Sequence, residues 1–150
     1  MLRMAEQATQ TIIVEATPQQ CYEVICDFEA YPGWAKDVKQ ADVLERDEGG
    51  RAIEVEFRAA AMGRSTHYTL RYDHSAAPEQ VSWKLSSGDL MRACDGSYVL
   101  KPLDGGRTEV IYDLAIELVV PLPGFVKRRA EVRILNTVRE LKARVEAVTA

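Results

Sequence analysis

The chain has little of what most enzymes and metal proteins depend on. Its 150 residues include only two histidines and three cysteines. Cys21, Cys26 and Cys94 are too few for a closed disulfide framework and lack the paired spacing of a zinc site. His67 and His74 stand seven residues apart, not at the four-residue spacing that puts two imidazoles on one helix face. No Gly-x-Ser-x-Gly elbow, phosphate-cradling glycine loop or His-Glu-x-x-His pattern occurs, so the expectation is no metal and no cofactor. Long apolar runs are missing too. The stretch from Leu118 to Pro123 is broken by two prolines and falls far short of the roughly 20 residues that span a bilayer. Residues Met1 to Gln7 lack the apolar stretch of a secretory leader. A net charge of −4 is short of the basic excess of a dedicated nucleic-acid binder. These absences point to a soluble, reduced, cytoplasmic domain. At 47% apolar residues it is rich enough for a core of its own.

What the chain does have is a period of two. Ile53, Val55 and Phe57 alternate with Glu54, Glu56 and Arg58, and Tyr68, Leu70 and Tyr72 with His67, Thr69 and Arg71. Val81, Trp83 and Leu85, then Tyr98 and Leu100, then Val110 through Leu118, repeat the pattern. Turns separate them at Asp47-Glu48-Gly49-Gly50 and Asp104-Gly105-Gly106, so the expectation is an antiparallel sheet with one covered face. Thr17-Pro18-Gln19-Gln20 reads as a capping box with proline at the first helical position, and this short helix must stop before Pro32. Beyond Gly124 there is no further glycine or proline. Ile134, Val138, Leu141, Val145 and Val148 mark one face of a helix from about Phe125 to Val148, roughly 36 Å long. The reading is an α+β domain over residues 11–150, preceded by a poorly ordered extension over residues 1–10. Its first strand runs from Thr11 to Ala16, and a curved sheet of about seven strands wraps the long C-terminal helix.

This order of elements resembles the START-like, helix-grip superfamily, and within it the polyketide cyclase/dehydrase and coenzyme Q-binding branch. The resemblance is carried by Ile12-Ile13-Val14-Glu15-Ala16 into Thr17-Pro18, and by Phe28-Glu29-Ala30-Tyr31-Pro32-Gly33-Trp34. Gly96 to Pro102 and Pro121 to Phe125 add to it. It implies a cavity between sheet and helix for a lipid, isoprenoid or quinone, polyketide or similar apolar molecule. It also implies two alternatives, a polyketide cyclase/dehydrase-like enzyme and a ribosome-associated regulatory protein. Against the cyclase, Val38 stands where those enzymes carry a pocket tyrosine, and Tyr72 where they carry a pocket arginine.

For the cavity that the resemblance implies, the motif at residues 28–34, strand parity and helix phase nominate the ligand-binding residues, which parity alone would leave as a filled core. They are Trp34, Val55, Phe57, Tyr68, Leu70, Tyr72, Trp83, Arg92, Tyr98 and Tyr112, with Phe125, Leu135 and Val138 from the helix. Arg92 shares the parity of Cys94 and Tyr98, so it faces inward unless a bulge after Gly88 turns it out. Met62 and Phe125, beside Gly63 and the prolines Pro121 and Pro123, read as an apolar gate. The cluster Lys127-Arg128-Arg129 just outside it offers a transient contact for anionic membrane or RNA. The histidines read as solvent-exposed, the cysteines as structural, and no catalytic residue is nominated.

Overall fold

The chain curls one antiparallel sheet around the C-terminal half of its longest helix. A computed structural model describes the backbone of residues 6–61, 64–119 and 124–150, and the side chains of residues 7–60, 65–119 and 136–150. The strands are β1 (Glu6–Val14), β2 (Val38–Arg46), β3 (Ala52–Ala61), β4 (Arg64–Asp73), β5 (Gln80–Gly88), β6 (Met91–Leu103) and β7 (Arg107–Leu118). They lie in the order β1-β7-β6-β5-β4-β3-β2, all antiparallel. Between β1 and β2 come α1 (Pro18–Cys26) and a 3-10 turn (Phe28–Gly33); α2 (Gly124–Thr149) closes the chain.

Local chemistry sets the boundaries. Thr17 Oγ1 accepts from the Gln20 amide at 3.2 Å while the Thr17 amide donates to Gln20 Oε1 at 2.9 Å, the expected capping box. α1 ends at Cys26, and Pro32 falls inside the 3-10 turn. Gly50, Gly105 and Gly106 take positive φ angles of 86°, 78° and 73°, which makes the two tight turns possible without steric cost.

Three expectations need correction. Residues 6–10 are not an extension: β1 begins at Glu6, paired with Ile116. The strand is polar there because its exposed face is held by side chains, Thr9 Oγ1 and Gln7 Nε2 donating to Asp113 Oδ1 at 2.9 and 3.2 Å. Val148 lies on the helix stripe by spacing yet is 50% exposed, since it falls in the last turn of α2. Ile53 is half-buried, and Ala52 takes the core position, because the β2–β3 register slips between Glu45 and Arg46.

The interior has two unlike ends. At one, Val14, Val81, Leu100 and Val110 of the sheet, Ile25 and Cys21 of α1, and Val145, Leu141 and Val138 of α2 are all at most 1% exposed. Complete burial of such a side chain is worth about 1.5–3 kcal/mol. Buried Thr108 donates its hydroxyl to the Ala16 carbonyl at 2.7 Å. Polar ties then fix α2 to what it covers. Lys142 Nζ donates to the Ile13 carbonyl at 2.8 Å, the Glu15 amide donates to Glu146 Oε2 at 2.9 Å, and the Lys36 amide donates to Glu140 Oε2 at 2.7 Å. At the other end, inward positions become half-exposed: Tyr68 on β4, Leu85 on β5, Met91 on β6, and Ile116 and Leu118 on β7. The sheet is sealed below and opens above.

Leu141→Ala should cost about 2–5 kcal/mol in urea unfolding as a truncation in the sealed end, and Arg139→Ala, on the exposed face, should stay within about 0.5 kcal/mol. Equal losses would place the helix in another phase. Hydrogen bonds from Lys142 and from the Glu15 amide hold the Glu146 carboxyl below its ordinary value of 4.5. The stability this gives is therefore present above 4.5 and lost as pH falls through the lowered value. The difference in urea midpoint between the parent and Glu146→Gln should shrink across that acid range and hold steady above it.

Candidate functional site

The open half of the interior is built from rings. Antiparallel register sets Phe57 opposite Tyr68, Tyr72 opposite Trp83, and Tyr98 opposite Tyr112, so each pair shares one face of the sheet. Phe57 and Tyr68 stack with centroids 5.4 Å apart; Trp83 lies 5.8 Å from Tyr72, 5.5 Å from Tyr98 and 5.9 Å from Tyr112. The 3-10 turn extends the series. Phe28 sits 4.5 Å from Tyr72, and Tyr31 sits 4.8 Å from Trp34 and 6.0 Å from Phe57. Val55, Leu70 and Val138 fill the space between and are buried. Of the nominated residues, Trp34, Val55, Phe57, Tyr68, Leu70, Tyr72, Trp83, Tyr98, Tyr112 and Val138 thus belong to one apolar cluster.

Gly96 makes this arrangement possible. A Cβ there would lie 2.7 Å from Trp83 Cζ2 and would collide with the Asp113 carbonyl. The indole therefore packs directly over the β6 backbone, where only glycine leaves room.

The polar atoms of the rings are unusually short of partners. Tyr31 donates its hydroxyl to the Ile25 carbonyl. The hydroxyls of Tyr68, Tyr72, Tyr98 and Tyr112 form no hydrogen bond with any described residue, and burial, the leading cause in each case, raises their pKa values above the ordinary phenol value. The indole N–H groups of Trp34 and Trp83 are buried, also without an acceptor among the described residues. These phenols stay protonated throughout the physiological range, so they are donors and not bases.

The histidines divide. His67 is exposed, as expected, but His74 is buried, contrary to expectation. Its Nε2–H donates to the Ala52 carbonyl at 2.6 Å, leaving Nδ1 to accept from the Tyr22 hydroxyl at 2.8 Å. Arg51 lies over the Tyr22 ring, 5.9 Å from its centroid. This link ties α1 to the start of β3 at the sealed end. Sequence reasoning missed it because a histidine after a strand looks like a turn residue, and only tertiary packing brings Tyr22 to it. Phe28 and Tyr31 were also not nominated, although the motif that contains them was recognised.

Arg92 does not join the cluster. The β6–β7 register slips between Met91 and Ala93, and the bulge leaves Arg92 exposed. Cys94 is buried and Cys26 half-buried, and burial pushes both thiols up to about 12, so neither supplies a thiolate at neutral pH. Among the described residues there is no group of three or more metal-ligating side chains, and no helix is long and apolar enough to cross a membrane. Met62, Phe125, Lys127, Arg128, Arg129 and Leu135 lie outside the residues whose side chains are described.

Residues 14–141 match the family described as polyketide cyclase / dehydrase and lipid transport, and the chain belongs to that family. A START superfamily protein from Mycobacterium smegmatis superposes with a TM-score of 0.87 at 26% identity, covering 95% of this chain and 98% of that one. The Zhui aromatase/cyclase from Streptomyces sp. R1128 shares the fold, with a TM-score of 0.81 at 15% identity over 97% and 96% of the two chains. By sequence the chain is 25% identical over 138 residues to the granaticin polyketide synthase bifunctional cyclase/dehydratase of Streptomyces violaceoruber. That alignment covers 91% of this chain and 42% of the relative, so the chain spans less than half the relative's length.

Gly96→Ala should displace the Trp83 ring and lower the urea midpoint, with a shift in tryptophan emission and near-ultraviolet circular dichroism. An unchanged spectrum would show that the indole does not rest on the β6 backbone.

Proposed function

We propose that the protein binds and carries a hydrophobic small molecule in the interior between its sheet and α2. The observation that carries this reading is the ring-lined half of the sheet, sealed at the Val14 and Val145 end and half-exposed at Tyr68, Leu85, Met91 and Ile116. Broad apolar walls with a few polar handles are what an amphipathic small molecule needs. Residues 62–63 join β3 to β4, and residues 119–123 join β7 to α2. Both connections follow from strand ends on the half-exposed side, Ala61 paired with Arg64 and Leu118 with Met91. That topology supports the assignment of Met62 and Phe125 as the gate.

A second reading, a polyketide cyclase-like enzyme, is favoured by the Streptomyces violaceoruber relative. Enolisation of a polyketide chain needs a base. The described interior offers phenols held protonated, and a histidine with both ring nitrogens engaged. Carriage fits those groups better than turnover.

Native mass spectrometry of freshly purified protein should show a bound mass that disappears on organic extraction, with an apolar compound recovered in the extract. If Met62 forms the gate, Met62→Asp should slow uptake of the neutral dye Nile Red while the far-ultraviolet spectrum is preserved; uptake at the parent rate would move the gate elsewhere.

A further inference from the structure

β5 and β6 do not stay paired along their full length. Their ladder runs from the Gln80/Val99 pair to the Trp83/Gly96 pair and stops there, although both strands continue toward their shared turn. Each instead follows its outer neighbour: β5 stays paired with β4 as far as Gly88, and β6 with β7 back to Met91. Two bulges explain the parting. Ser86 is skipped in the register with β4, and Arg92 in the register with β7. An extra residue bends its strand and sharpens its twist, so with one in each strand the two diverge. The tip brings them together again, since a Cβ on Gly88 would lie 3.6 Å from the Met91 carbonyl oxygen. That tip is clamped on both sides. The Asp89 amide donates to the His67 carbonyl at 3.1 Å, and its carboxylate accepts from the His67 amide and the Thr66 hydroxyl. The Leu90 carbonyl accepts from the Val119 amide at 3.0 Å. What remains is a slot closed at both ends, flanked by residues 84–87 and 92–95. At roughly 3.3 Å per residue it is about 13 Å long.

One side chain spans the slot. The Leu85 amide donates to Asp95 Oδ1 at 3.1 Å, a carboxylate standing where a ladder carbonyl would be. Main-chain groups along the slot without such a partner have to meet water. At its lower end stands Trp83, which rests on Gly96 and meets Tyr72, Tyr98 and Tyr112. The inward residues Leu85 and Met91 beside the slot are half-exposed, whereas inward Val81 and Leu100 on the paired part are at most 1% exposed. We infer that this slot is a side port through the sheet wall, by which water and a bound molecule exchange with solvent, and that Asp95 is the strut that limits its opening. The inference rests on the carrier reading for its cargo and adds a route distinct from the connections at residues 62–63 and 119–123. A molecule that leaves between Leu85 and Met91 breaks no β5–β6 ladder pair, which passage between fully paired strands would require.

Nile Red bound to the full chain and chased into excess phosphatidylcholine vesicles gives a release rate. Asp95→Ala removes the strut and should speed release at least about 3-fold, while Asp95→Asn keeps an acceptor oxygen and should hold the parent rate. Leu85→Trp plugs the slot from inside and should slow release at least about 3-fold. Because a port alters passage and not the bound state, Asp95→Ala should leave Kd within about 2-fold. Amide hydrogen exchange follows the strut directly: in Asp95→Ala the Leu85 amide should lose protection while residues 80–83 keep theirs. Parent-rate release from Asp95→Ala, or from a folded Leu85→Trp, would overturn the port and leave the carrier reading intact. Should Leu85→Trp fail to fold, Asp95→Ala decides alone, since Asp95 is only half-buried. Failure of the parent chain to retain Nile Red would count against the carrier reading, and an unchanged Leu85 amide in Asp95→Ala would then still overturn the strut.

Discussion

The sealed end of the sheet is held by contact between α2 and the strand ends beneath it, and the rest of the interior depends on that contact. Val138, Leu141 and Val145 are wholly buried against a floor that includes Val14, Val81, Leu100 and Val110. A twisted sheet with one apolar face cannot remain exposed, and α2 is the only described element with the length to cover it. The polar ties are few and directional. Lys142 and Glu146 bind the Ile13 carbonyl and the Glu15 amide, and Glu140 binds the Lys36 amide. They satisfy main-chain groups at the end of β1 and ahead of β2, so the helix is fixed in register as well as buried. With one end locked, the other can keep half-exposed inward positions without loss of the fold.

Within that frame, glycine and bulges determine where the large side chains go. Gly96 lets the Trp83 indole lie on β6, and the ring then meets Tyr72, Tyr98 and Tyr112 at once. The slip at Met91 rotates Arg92 out of the interior and leaves Met91 half-buried at its edge. A single register change thereby keeps the Arg92 guanidinium out of the described interior.

Much of this was legible in the sequence, for physical reasons. Period-two alternation survives wherever a strand has one wet face, so Val81 and Trp83, Tyr98 and Leu100, and Val110, Tyr112 and Leu114 could each be placed inward. The capping box at Thr17 is local chemistry and was readable in full. The failures on the sheet share one cause, which is that backbone pairing does not depend on side-chain type. β1 extends to Glu6 through polar residues because β7 supplies its hydrogen bonds, and bulges at Arg46 and Met91 reset a parity that sequence counting carries straight through. His74 was misplaced because its partners, Tyr22 and the Ala52 carbonyl, come from elements 52 and 22 residues away.

The tyrosines pose an energetic problem that the proposed carriage of a small molecule would solve. A buried donor left unpaired costs about 1–3 kcal/mol, so the hydroxyls of Tyr72, Tyr98 and Tyr112 together would cost roughly 3–9 kcal/mol in a dry, filled core. A domain of this kind is stable by only about 5–15 kcal/mol. Phenylalanine at the same three positions would keep the ring contacts and avoid the penalty, so a core selected for stability alone has no use for these hydroxyls. They are tolerable if each meets water in the empty protein or an acceptor on a bound molecule. The half-exposed rim at Tyr68, Leu85, Met91 and Ile116 lies where such molecules would reach them. On this account an interior that is poor as a core is suited to exchange: water satisfies the donors when the interior is empty, and acceptor atoms of a bound molecule satisfy them when it is filled.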